Sequence, residues 1–249
     1  MWPVQLANSL KRASTRVLGR RPPEASGLRR LGAQCDPNDA REKVEWVLRE
    51  ASPALDLPAG LPSHMAEGDR VGGFLKGFPG GSIWEIEGLF LYALTRATRP
   101  RVVVETGTWA GCSTRHFELA IERNDKGELY SIDIDPRVSS STTLGPRTHG
   151  VLSDSLAWLR SNQEILGQCD LFFHDSDHSP EHVAAEIEAV WDVAPKGALF
   201  VCHDVLSPSH NPIDRPGTWD AFSGSVRAPV FRLDFHPLSD CGLGICRKL

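Results

Sequence analysis

The sequence predicts an α/β protein in which a parallel sheet carries helices on both faces. Two observations lead to that expectation. From residue 101 onward, short strand-like runs alternate with helical stretches at regular spacing, the pattern of repeated β-α-β units. The chain then closes on two strand-like runs, 230–235 and 242–247, joined by a turn.

Each element has its own local reason. Residues 101–106 (RVVVET) form a short β-branched run, hence a strand. Residues 113–122 read as a helix, 128–134 as a strand, 155–165 as a helix and 170–173 as a strand. The stretch 179–193 is a helix with Ser179 at the N-cap and Pro180 at the first helical position. Val183, Ile187, Val190 and Trp191 form its apolar face. Residues 198–202 complete the alternation as a strand. Upstream, 40–50 carries Val44, Trp46, Val47 and Leu48 at helical spacing, and 53–81 is rich in Pro and Gly and reads as loop. The run 82–97 has Ile83, Ile86, Phe90 and Leu94, with Leu89, Tyr92 and Ala93 between, so it is a largely buried helix that Pro100 ends. The expected organisation is a basic extension (1–39), a helical cap (40–98) and an α/β core (99–249). No internal repeat is visible.

Composition narrows the function classes. Of the 249 residues, 41% are apolar and 24% charged, which suits a globular protein rather than a disordered one. No stretch reaches the ~20 apolar residues of a membrane span, and the first residues lack the apolar core of a signal peptide. A net charge of −5 argues against a general nucleic-acid binder. Six cysteines without a CxxC pair are too sparse for a disulfide scaffold. Cys112, Cys169 and Cys202 lie in apolar stretches and read as reduced packing residues of a cytoplasmic protein. Charge is uneven: residues 1–34 hold seven Lys/Arg against Glu24 alone, and the rest of the chain has a net charge of −11. That tail fits a mobile arm, a transit peptide, an anion-seeking arm, or a helix docking on a partner, a neighbouring subunit or the acidic body.

In a sheet of this kind ligands bind beyond the carboxyl ends of the strands, and four strand ends carry chemistry. Glu105-Thr106-Gly107-Thr108-Trp109-Ala110-Gly111-Cys112-Ser113 is a strand, a glycine turn and a helix start, which aims backbone N–H groups at a ligand. Trp109 replaces the middle glycine of the dinucleotide fingerprint, and Glu105 would repel a pyrophosphate while suiting a cationic ligand. A nicotinamide oxidoreductase is therefore disfavoured. Asp133 ends the next strand, where a carboxylate can accept both hydroxyls of a ribose; Asp135 reads as a solvated loop acid. The ends Phe173-His174-Asp175-Ser176-Asp177-His178 and Cys202-His203-Asp204 belong to consecutive strands. Three His and three Asp side by side favour a metal or acid/base site over loop caps, because burying them unpaired is costly.

The ordered blocks VVVETGTWAGCST, YSIDIDP, SDS, LFFHDSDHSPEH and LFVCHDV resemble the class I S-adenosylmethionine-dependent methyltransferases. They are most similar to the small-molecule O-methyltransferase branch that includes the macrocin and mycinamicin sugar enzymes. The resemblance covers about residues 80–249. It implies a Rossmann-like seven-stranded sheet with an antiparallel last strand. It further implies that Glu105, Gly107 and Ser113 hold the methionine end of the cofactor, that Thr108, Trp109 and Gly111 also belong to the cofactor site, and that Asp133 holds the ribose. Ser153 and Asp154 would border the adenine. Asp175 and Asp204 match divalent-cation positions, for Mg2+ or Mn2+, and Asp175 also borders the cofactor. His178 matches the general base. The chain departs at His203, where metal-dependent relatives often carry a carboxylate; a His ligand shifts the preference towards Mn2+, Fe2+ or Zn2+. His174 reads as structural. The expected activity is methylation of a small-molecule hydroxyl, with the loop 53–81 and the insertion 206–218 shaping the acceptor pocket and a homo-oligomer left open. Two other classes stand beside it. A metal-dependent hydrolase or oxygenase would leave Asp133 and the glycine turn unexplained. A catalytically silent cofactor-binding protein would act through its basic tail.

Overall fold

The computed structural model describes residues 29–31, 40–57, 83–136, 144–206, 217–236 and 238–249. Residues 1–28 and 32–39 of the basic extension, 58–82 of the Pro/Gly-rich loop and 207–216 of the insertion lie outside the described residues. The strands are β1 (Arg29–Leu31), β2 (Val102–Thr106), β3 (Glu128–Asp133), β4 (Thr148–Leu152), β5 (Cys169–His174), β6 (Leu199–His203), β7 (Val230–Leu233) and β8 (Leu243–Arg247). The helices are α1 (Ala40–Leu55), α2 (Glu85–Thr98), α3 (Cys112–Asn124), α4 (Ser155–Ser161), α5 (Gln163–Leu166), α6 (Pro180–Trp191) and α7 (Thr218–Ser225).

The sheet runs β1-β7-β8-β6-β5-β2-β3-β4. β8 is antiparallel to both neighbours, β6 and β7, and every other pairing is parallel. Strands β2 to β8 are the expected seven-stranded sheet with its antiparallel last strand. β1 adds an eighth at the edge, pairing Arg29 with Phe231 and Leu31 with Leu233.

Strand periodicity sends alternate residues to opposite faces. Val103, Phe173 and Val201 join one buried cluster with α1, α2 and α3. Val102, Val104, Phe172, Phe200 and Cys202 join the other with α4, α5, α6 and α7. The two N-terminal helices therefore share a core with α3 on one sheet face.

Four local differences from the sequence reading have physical causes. β4 is absent from the sequence pattern: as an outer strand with an exposed middle, Thr148-His149-Gly150-Val151-Leu152 shows no apolar alternation. β1 is only three residues, two of them Arg. α1 continues through Pro53 to Leu55 instead of stopping near residue 50; burial of Leu55 and Leu57 in the core extends it past the missing N–H. Thr218 opens α7, a short helix with Phe222 buried, rather than closing a loop.

The approach of α2 to α3 matters for the site. A Cβ on Gly88 would lie 2.1 Å from the ring of His116, which is buried in α3 and holds the Cys112 carbonyl through Nδ1 at 2.8 Å. Burial pushes the His116 ring down to about 4, so it stays neutral. Gly88→Ala gains about 1 kcal/mol of helix propensity, but overpacking a buried ring costs more. The variant should be destabilised by about 1–3 kcal/mol in urea denaturation, and equal stability would show that the helices can part freely.

Candidate active site

The carboxyl ends of β2, β3, β5 and β6 meet along one edge of the sheet. Two backbone bonds extend the ladder past the strands: Gly107 N–H donates to the Ile132 carbonyl and Asp175 N–H to the Thr106 carbonyl, both at 2.9 Å. Gly107 has φ +86°, and a Cβ there would lie 2.1 Å from the Asp175 carbonyl oxygen. Glycine is required because the chain leaving β5 passes directly over the turn.

Glu105 lies beneath this turn, wholly buried. Its Oε2 accepts from Ser131 Oγ at 2.5 Å and Thr114 Oγ1 at 2.6 Å, and the Ser131 hydroxyl pairs with Thr108 Oγ1 at 2.6 Å. Its Oε1 is buried with no hydrogen-bond partner. Ser113, also buried, stands near enough to favour the charge but without bond geometry to that oxygen. Burial pushes the Glu105 carboxyl up to about 7, with the hydroxyls of Ser113, Ser131 and Thr114 opposing.

At the end of β3, Asp133 accepts from Trp109 N–H through Oδ2 at 2.9 Å and from Asp135 N–H through Oδ1 at 2.8 Å. It thereby fixes the glycine turn against its own loop. The Ser153 N–H donates to the Asp133 carbonyl at 2.9 Å, which brings the end of β4 alongside. Asp154 caps α4 by accepting from Ala157 N–H at 2.8 Å. Gly111 caps α3. Trp109, Ile134 and Leu152 are large apolar side chains left exposed around Asp133. The sequence reading singles out the polar residues here and misses Ile134 and Leu152, whose only signal is adjacency to Asp133 and Ser153.

The second half of the site is a chain of paired imidazoles and carboxylates. His203 donates from Nδ1 to Asp175 Oδ1 at 2.9 Å and from Nε2 to Glu87 Oε2 at 2.9 Å. His178 faces Asp204 Oδ2 through Nδ1 at 2.9 Å and Asp175 Oδ1 through Nε2 at 3.3 Å. Burial disfavours the protonated rings, but the carboxylates outweigh it. Asp175 and Asp204 push His178 up to about 9, and with Glu87 they raise His203 well above its ordinary value. Burial likewise opposes charge on Asp175 and Asp204, yet the facing rings hold both below the usual carboxylate range. His178 thus carries its proton at neutral pH in this arrangement, above the pKa near 7 expected of a base.

One ligand atom from each of Asp175, His178, His203 and Asp204 lies within 4.8 Å of the others. Two carboxylate oxygens and two imidazole nitrogens at that spacing suit a divalent cation of borderline hardness. His174 sits apart, wholly buried, with Nδ1 2.7 Å from Glu186 Oε2. Glu87 and Glu186 escape the sequence reading as site residues. The available signal is an acid within an otherwise apolar helical face: Glu87 among Ile86, Leu89 and Phe90, and Glu186 among Val183, Ile187 and Val190.

Residues 104–205 match the family model described as "Methyltransferase domain". No curated protein sequence matches the chain. Among solved structures, the SAH-bound Podospora anserina methyltransferase PaMTH1 is 16% identical with a TM-score of 0.55, covering 88% of this chain and 100% of that one. The Bacillus cereus O-methyltransferase in complex with SAH is 18% identical, TM-score 0.53, covering 80% and 96%. The O-methyltransferase TomG of Streptomyces achromogenes, involved in tomaymycin synthesis and complexed with SAM, is 17% identical, TM-score 0.55, covering 81% and 95%. The matched segment runs from β2 to the residue after Asp204, and with the sheet order it gives the chain the fold of a class I S-adenosylmethionine-dependent methyltransferase.

Proposed function

We propose that this chain is an S-adenosylmethionine-dependent O-methyltransferase acting on the hydroxyl of a small molecule of natural-product or sugar type. The observation that carries the reading is the buried Glu105 carboxylate, whose Oε1 has no partner beside the glycine turn. An unpaired buried carboxylate oxygen is costly, and the ammonium of an amino-acid ligand would satisfy it. Asp133 would take the ribose hydroxyls with its remaining lone pairs. Trp109, Ile134 and Leu152 would cover the adenine, with Ser153 and Asp154 at its border. Bound there, the cofactor supplies an electrophilic methyl on a sulfonium. The O-methyltransferases among the similar structures support the oxygen acceptor. The five described cysteines are all free, which suits a reducing cytoplasm.

On the acceptor side, Asp175, His203 and Asp204 would hold a divalent cation, which supplies charge that lowers the pKa of a hydroxyl. His178 is the base. Asp204 orients it through the 2.9 Å contact to Nδ1, while Nε2 has only the 3.3 Å contact to Asp175. A base held by a third group on its far nitrogen leaves the near nitrogen to act. Nε2 is therefore the atom at which His178 takes the hydroxyl proton.

Three outcomes are expected. In calorimetry with S-adenosylhomocysteine, Asp133→Ala should weaken binding by about 1.5–3 kcal/mol, the worth of charge-assisted bonds to a ribose; unchanged affinity removes Asp133 from the site. His178→Gln should keep that affinity while turnover on a cognate acceptor falls about a hundredfold or more. A loss of only a few-fold denies it the role of base. In the cation-free protein the His178 ring, followed by NMR, should titrate near 9. Because this lies above the free value of about 6.5, the contact stabilises the fold below that value and the contribution fades as pH rises through 9. Asp204→Asn should bring the titration down, and an unshifted curve would mean that Asp204 does not orient the ring.

A further inference from the structure

Glu87 reaches the site from α2 on the N-terminal side of the chain, 116 residues from its partner His203. It is wholly buried, and every direction around its carboxylate is used. Oε1 accepts from Ser239 Oγ at 2.6 Å and Gly242 N–H at 2.9 Å. Oε2 accepts from His203 Nε2 at 2.9 Å and from Trp84 N–H at 3.1 Å. A carboxylate held by donors on both oxygens cannot swing away, so Nε2 of His203 keeps its proton and only Nδ1 remains to bind anything else. That atom is 2.9 Å from Asp175 Oδ1 and 3.5 Å from Asp204 Oδ1.

We propose that Glu87 is a positioning residue that aims Nδ1 of His203 at Asp175 and Asp204, so that the cluster selects a borderline divalent cation, Mn2+ or Zn2+, over Mg2+. The inference rests on the cation site of the proposed function and adds the device that sets its preference. A carboxylate behind the far nitrogen of a ligating imidazole fixes its tautomer and ring angle and raises its basicity. One imidazole in place of an oxygen ligand moves a site away from hard, octahedral Mg2+. Glu87 also ties the 239–242 turn to α2, and a purely structural role would end there.

The test separates the two. Mn2+ is titrated into the full chain and free Mn2+ read by EPR, with Mg2+ as competitor, for the unaltered protein, Glu87→Gln and His203→Asn. In either orientation the amide of Glu87→Gln loses the charge-assisted bond, and with its nitrogen towards the ring it forces the proton onto Nδ1. Glu87→Gln should therefore bind Mn2+ about 10–100-fold more weakly, with S-adenosylhomocysteine affinity retained as the sign of an intact fold. His203→Asn, which offers an amide oxygen in place of the ring, should lower the Mn2+/Mg2+ affinity ratio at least about tenfold. A folded Glu87→Gln with unaltered Mn2+ affinity overturns the proposal. If Glu87→Gln does not fold, the ratio in His203→Asn decides, and an unchanged ratio overturns it. An unaltered protein that binds no Mn2+ removes the cation site itself, while its S-adenosylhomocysteine binding still reports on the cofactor half.

Discussion

The buried carboxylate of Glu186 is the constraint on which the arrangement of strand ends depends. It accepts from Thr106 at the end of β2, His174 at the end of β5, Ser176 in the loop beyond, Ser155 at the start of α4 and His182 one turn back in α6. Burial alone would drive such a group to take up a proton. The facing His174 and His182 and the hydroxyls instead hold it well below the usual carboxylate range. The enthalpy of those charge-assisted bonds offsets a large desolvation cost. The geometric return is that the loop carrying Asp175 and His178 starts from a fixed point.

A second carboxylate plays the matching part on the opposite sheet face. Glu87 connects α2 and the 239–242 turn to His203, whose ring passes between Glu87 and Asp175. The site is thus held from both layers of helices at once. Disturbing either layer moves a carboxylate that holds a strand-end imidazole, His174 for Glu186 and His203 for Glu87. The close approach at Gly88 is part of the same arrangement, because it sets how deeply α2, and with it Glu87, reaches towards the sheet.

What was legible in the sequence follows from how local each signal is. The glycine turn after β2 declared itself because strand, turn and helix are contiguous. So did the helix from Pro180, with its N-terminal proline and its apolar face. β4 left no trace, since an exposed outer strand needs no apolar alternation. The proximity of the 174–178 and 203–204 segments could be inferred from consecutive parallel strands, and the register of β5 with β6 accounts for it. The pairing of Glu87 with His203 could not, because nothing local tells which of the two acids of α2, Glu85 or Glu87, meets a ring at the end of a strand more than 100 residues away. The same holds for the unpartnered Oε1 of Glu105: the residue was visible as an acid near a glycine turn, but its isolation is a property of the packed interior.

The place of β8 has a consequence for how this chain is assembled on the ribosome. Residues 243–247 lie between β6 and β7, so the sheet has a gap near its middle until they have been made. β7 and β1 have no strand pairing to the parallel core before then. Arg29–Leu31, among the first described residues to emerge, must wait for a strand more than 200 residues later before its own neighbour is secured. Contacts of that separation close slowly. During synthesis the nascent chain therefore presents two unpaired edges, that of β6 and that of the β7 and β1 strip, and these are the surfaces a chaperone would have to cover.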